Sequence, residues 1–76
     1  MNNILSERKR ANLDQVQLAK ALGVSKSTVS RWERGVLMPY GSELVAMHRL
    51  FGCSTDYLLG LSDERNHTRP GALAID

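Results

Sequence analysis

Between Val24 and Gly35 the chain reads VSKSTVSRWERG, and its polar positions Lys26, Ser27, Ser30, Arg31 and Arg34 carry ammonium, hydroxyl and guanidinium groups, with Glu33 the only acid. These side chains suit the acceptors of nucleic acid. An arginine bonds bidentately to guanine N7 and O6, a lysine does so less rigidly, and a serine hydroxyl serves either a donor or an acceptor. If the stretch is helical, Ser27, Ser30, Arg31 and Arg34 follow i, i+3, i+4, i+7 and project from one outward face, with Lys26 at its N-terminal edge. Val29 and Trp32 then point inward. The outward face carries no carboxylate to repel phosphate, so its chemistry is recognition by hydrogen bonds and charge.

Catalysis is the weaker use of the reactive residues. Ser27, His48, Cys53 and Asp56 are present, but nothing in the sequence sets a nucleophile beside a base and an orienting partner, and a chain this short has little room for a substrate pocket. His48 and Cys53 lie five apart with no second pair of ligands, so no metal site, cofactor or small-molecule ligand is expected.

The elements that must position this face are short helices. Ile4, Leu5, Arg8 and Ala11 recur at helical spacing before Asn12, a plausible stop. Asp14 stands as an N-cap before QVQLAKAL, whose Leu18, Ala19 and Leu22 form an inward stripe ended by Gly23. Ser25 caps the next segment, KSTVSRWER, which runs to Gly35. Pro39 interrupts the following loop, Ser42 is the expected cap of ELVAMHRLF, and Leu44, Val45, Met47, Leu50 and Phe51 supply that helix with a broad apolar face ending at Gly52. Ser54 caps a closing turn, TDYLL, before Gly60. The fold class expected is all-α, a five-helix bundle of residues 1–60.

Residues 61–76 contain Pro70, Gly71 and mixed charge without a helical stripe, so they read as a mobile or dimer-contacting tail. Its apolar end, ALAI, could instead pair as a short strand with a neighbouring subunit.

Composition agrees with a small soluble domain. Seventy-six residues allow one modest core, and a single cysteine excludes an internal disulfide and points to a reducing cytoplasm. The start, MNNILSERKR, lacks the apolar stretch of a signal peptide, and no run is long enough to cross a bilayer. The formal charge is only +2, but residues 1–60 hold eight Lys and Arg against five Asp and Glu, so the positive surplus lies in the helical part. Net charge of this size identifies no partner; the placement of the charges does.

The second and third helices with Gly23 between them make a helix-turn-helix. Ala19 lets the helices approach, Gly23 can take positive φ in the turn, and Val24, Val29 and Trp32 bury the inner face. The chain from Leu13 through Gly60, with its L-A-x-x-L-G-V-S, W-E-R-G and D-Y-L-L-G elements, resembles the lambda repressor and Cro group of phage and bacterial regulators over about residues 4–60. The resemblance implies a lambda repressor-like DNA-binding domain whose third helix enters the major groove of double-stranded DNA. It assigns Lys26, Ser27 and Arg31 to base contacts, Gln15 to a phosphate and to bracing the first base-reading residue, and Arg34 to the backbone; Ser30 faces the groove but is short. It also implies a structural ion pair between Arg8 and Glu33. Where the group often has a basic residue after the glycine, this chain has the apolar Val36, Leu37 and Met38. These are expected either to touch sugars and thymine methyls or to pack on the fourth helix.

The reading that follows is a transcriptional regulator, a repressor before an activator, acting as a homodimer on a palindromic operator, with Tyr57, Leu58 and Leu61 as dimer-contact candidates. Tyr57 and Leu58 could equally close the core. The chain resembles either a stand-alone Cro-sized regulator or a fragment of a longer repressor. The alternative is a protein-interaction module, such as an antitoxin, supported by the apolar loop and the ALAI tail.

Overall fold

In the computed structural model, which describes residues 1–66, three helices start at side chains that satisfy their own first turn. Asp14 accepts from the Gln17 N–H at 2.7 Å while the Gln17 side-chain oxygen accepts from the Asp14 N–H at 2.8 Å, a reciprocal box at the start of α2 (Gln15–Leu22). Ser25 Oγ accepts from Thr28 N–H at 3.1 Å ahead of α3 (Lys26–Glu33), and Ser54 Oγ from Tyr57 N–H at 3.1 Å ahead of α5 (Thr55–Leu58). With α1 (Ile4–Arg10) and α4 (Gly41–Phe51) these make five helices, and no strand occurs among the described residues. The all-α fold read from periodicity is the fold observed.

The turn that sets α3 against α2 depends on Gly23, whose φ of 71° lies in the left-handed region and lets Val24 N–H reach the Ala19 carbonyl at 3.0 Å. Asn12 ends the α1 region in the same conformation, at φ 60°, which its short polar side chain tolerates. α2 packs mainly on α3, and α4 on α5. Ile4, Leu18, Ala19, Val29, Trp32, Met47, Phe51, Cys53 and Leu58 form the buried core.

Three local expectations are corrected. Helix α4 starts at Gly41, not after a Ser42 cap: Glu43 Oε1 accepts from the Tyr40 N–H at 2.7 Å, so the glutamate three residues on satisfies the helix entry and Ser42 lies inside the first turn. The broad apolar face of α4 is narrower than its sequence suggests, because Met47 and Phe51 are buried and Leu44 packs on the core while Val45 and Leu50 stay outside it, each a little under half exposed. In α1 only Ile4 of the apolar set is buried; Leu5 and Ala11 are exposed, and the inward positions three and four beyond Ile4 belong to Glu7 and Arg8.

The first residues strap this bundle. Asn3 N–H donates to the Leu58 carbonyl at 3.0 Å, Asn3 Nδ2 to the Tyr57 carbonyl at 2.7 Å and Asn2 Nδ2 to the Trp32 carbonyl at 2.7 Å. Gly60 makes the approach possible: its φ is +81°, and a Cβ added there would run into the Met1 carbonyl oxygen. Gly60→Ala is therefore expected to destabilise the domain by about 2 kcal/mol, the order associated with a non-glycine residue forced into the left-handed region against a neighbour. Urea denaturation measures it, and an unchanged midpoint would show that the strap yields freely.

Candidate nucleic-acid interface

The rotation of α3 follows from which of its residues are apolar. Val29 and Trp32, three apart, are fully buried, and this turns Lys26, Ser27 and Arg31 outward, where all three are exposed. Arg34, just past the last helical residue, is exposed too, while Ser30 is half-buried on the flank between. Ser27 Oγ lies 3.0 Å from Ser25 Oγ, so one of its hydrogen bonds is shared with the cap. The result is a solvent-facing strip with three cations and two hydroxyls, carrying no carboxylate.

The two helix starts beside this strip differ electrostatically. Both leave N–H groups of their first turn unbonded by the helix, the arrangement that attracts anions. At α2, however, the Asp14 carboxylate already occupies that end, whereas α3 is capped by the neutral Ser25. An electropositive start is therefore kept at α3 and offset at α2.

Glu33, the acid in the stretch, is taken out of play by its neighbours. Its carboxylate accepts from Arg8 through both Nε and Nη2, the latter at 3.2 Å, and from Gln15 Nε2 at 2.9 Å. Arg8 Nη1 donates in addition to the Leu13 carbonyl at 2.9 Å. The side chains of Arg8 and Glu33 are 11% and 6% exposed, which makes this a largely desolvated fork-to-fork pair. The Glu33 hydrogen bond, opposed by partial burial and aided by Coulomb attraction to Glu33 and Asp14, raises the Arg8 pKa above its already high ordinary value, so the guanidinium stays charged. One side chain thus ties α1, α2 and α3 together. The Gln15 bond to Glu33 was not foreseen from sequence, since eighteen residues separate the partners.

The loop after α3 is held rather than loose. Val36 N–H and Leu37 N–H both donate to the Arg31 carbonyl, at 2.9 and 3.3 Å, around Gly35 at φ 74°. Val36 and Met38 nevertheless remain 68% exposed, and Leu37 borders a shallow cavity with Val24, Thr28, Trp32 and Tyr40.

Among the dimer-contact candidates, Leu58 is corrected: it is fully buried in the core of its own chain and offers no surface to a second copy. Tyr57 is half-buried and packs on that core, and Leu61 is exposed. The ALAI segment lies outside the described residues.

The residues weighed for catalysis do not converge. His48 Nδ1 bonds the Cys53 carbonyl at 2.6 Å, the buried Cys53 thiol has its pKa pushed up chiefly by desolvation and next by the Glu7 carboxylate, and Ser27 and Asp56 are separately exposed. Among the described residues no cluster of His, Cys, Asp and Glu could hold a metal ion, and no helix is long and apolar enough to cross a membrane.

Comparison with known proteins agrees with this geometry. The helix-turn-helix family model matches residues 4–58. Repressor protein C2 of Salmonella phage P22 is 41% identical over 56 residues, which cover 74% of this chain and 26% of that protein. The HTH-type transcriptional regulator DicA of Escherichia coli (strain K12) is 39% identical over 64 residues, covering 82% of this chain and 47% of DicA. The chain thus spans between about a quarter and a half of the length of these relatives. The crystal structure of the P22 c2 repressor in complex with a synthetic operator superposes with a TM-score of 0.70 at 39% identity, covering 78% of this chain and 89% of that one. A buried Val/Trp pair behind a cationic strip, a left-handed glycine turn and two capped helix starts are thus joined by a family match over most of the sequence: the chain belongs to the helix-turn-helix family.

Proposed function

We propose that the chain is a sequence-specific, double-stranded DNA-binding transcriptional regulator that represses by occupying an operator. The observation that carries the reading is the outward strip of α3, with Lys26, Ser27 and Arg31 in solvent while Val29 and Trp32 fix the helix from behind. The operator-bound state of the similar P22 c2 repressor supports it. In this reading Lys26, Ser27 and Arg31 meet base edges in the major groove, Ser30 lies beside them, and Arg34 meets the backbone. Gln15 keeps one side-chain N–H on Glu33 and offers the other to a phosphate. Arg8 neutralises Glu33, so the carboxylate that orients Gln15 does not repel that phosphate.

A single module of this size reads few base pairs, so the regulator acts as a homodimer on a palindromic site with half-sites about 34–36 Å apart. Tyr57 and Leu61 remain the candidate contacts. Its place of work is the cytoplasm, where the DNA is, and the reading requires neither cofactor nor catalysis.

The exposed Val36, Met38 and Tyr40 favour a second reading, a module that binds another protein through this apolar loop. Selection of bound duplexes from a random pool, followed by titration with salt, separates the two: a DNA reader returns a palindrome and loses affinity steeply as salt rises. On the selected site Arg31→Ala is expected to cost about 1–3 kcal/mol and to relax preference at one base pair. Equal weakening on every sequence would refute a base-reading role for Arg31.

A further inference from the structure

Beyond Gly60 the chain does not leave the bundle. Leu61 N–H donates to the Asp56 carbonyl at 2.8 Å, and the following residues turn back until the Arg65 carbonyl accepts from the Ser54 N–H at 2.8 Å. The Arg65 side chain then reaches inward. Its Nε lies 2.9 and 3.1 Å from the two carboxylate oxygens of Glu7, and its Nη2 donates to the Phe51 carbonyl at 2.6 Å. Glu7 is 2% exposed, and Arg65 is its ion-pair partner.

Glu7 and Arg8 are neighbours on α1, about 100° apart around the helix axis. They grip different segments: Glu7 holds the arm that follows α5, and Arg8 holds Glu33 at the end of α3 together with the Leu13 carbonyl. A desolvated carboxylate whose ionic partner lies on a terminal arm is sensitive to that arm's position, because withdrawing Arg65 leaves a buried charge uncompensated. The seat of α1 therefore depends on the arm, and the end of α3 is tied to α1.

We propose that residues 61–66 form a latch, closed by Arg65 on Glu7, that couples the C-terminal continuation of the chain through α1 to α3. Any load on the chain beyond residue 66, from a following segment or a bound partner, acts on this latch. Closed, it holds α1 and the Arg8–Glu33 pair in register; open, it loosens α3 at its C-terminal end. The coupling is a property of the free protein and does not depend on what α3 binds.

Native-state hydrogen exchange followed by NMR on the 76-residue chain tests this without any DNA. The Ser54 amide, whose acceptor is the Arg65 carbonyl, reports the latch, and the amides of Ala11, Leu13 and Arg34 report α1 and the end of α3. In Arg65→Met the Ser54 amide and these three are expected to exchange about tenfold faster or more, within the range of couplings carried between sites, while Leu18 in α2 and Gly23 just after it change little. The double variant Glu7→Gln with Arg65→Met removes the orphaned charge and so keeps the fold intact. In it the Ser54 amide is still expected to exchange faster, because the arm is released, while Ala11, Leu13 and Arg34 return most of the way to the parent rates, because no charge is left unpaired against α1. Acceleration confined to Ser54 in Arg65→Met, or an equal acceleration of all helices in both variants, overturns the latch.

Discussion

Arg8→Ala is expected to lower the unfolding free energy by about 3–5 kcal/mol, the cost of removing one partner from a buried ion pair. The size follows from what is left behind. Glu33, only 6% exposed at its side chain, would keep a single side-chain donor, Gln15, and its charge would stand between α1, α2 and α3 without a counterion. Glu33→Ala should cost less, because Arg8 retains the Leu13 carbonyl and its long stem can carry the guanidinium to water. This asymmetry is the sharper part of the prediction. Chemical denaturation followed by fluorescence of the buried Trp32, the only tryptophan, gives both values, and a double-mutant cycle isolates the pair. If the two single variants are equally mild, the pair is solvated and does not organise the three helices.

Trp32→Ala should have an effect of the same order, about 3–5 kcal/mol, from lost transfer free energy together with the cavity left behind. Against a total stability of roughly 5–15 kcal/mol, expected at its low end for so short a chain, such a loss leaves the domain close to unfolding. Trp32 also has a second duty, since its burial beside Val29 fixes the rotation of α3 and thereby the outward direction of Lys26, Ser27 and Arg31. Circular dichroism during thermal unfolding measures the loss, the fluorescent probe having been removed. A variant that melts within a degree or two of the parent would mean that neighbouring side chains collapse into the space, and would weaken the case that the indole sets the helix orientation.

These two positions differ in how legible they were. Trp32 could be read inward from its spacing to Val29 and from the polar residues on the other flank. The Arg8–Glu33 pair was expected only through resemblance, because nothing in the periodicity of either helix distinguishes a charge that will be buried from one that will be solvated. Glu7 illustrates the difficulty: an acid beside Arg8, Lys9 and Arg10 looks like part of a solvated run, yet it occupies an inward position and is buried. The start of α4 failed for a related reason. Ser42 is the better cap by type, but the buried Pro39 and the Glu43 bond to the Tyr40 N–H set the entry two residues earlier.

The sequence by itself determined the five helices, the glycine turn between α2 and α3, and the outward order of Lys26, Ser27 and Arg31. Caps, left-handed glycines and apolar spacing act across a few residues, and the information for them is written where they act. Only the tertiary structure decided which side of α4 is covered, that Leu58 belongs to the core, that Gln15 rests on Glu33, and that Arg65 returns across 58 residues to Glu7. Those outcomes depend on where separate segments converge. Burial changes a charge from a solvated surface group into one that must find its partner, and no local pattern states in advance which charges convergence will bury.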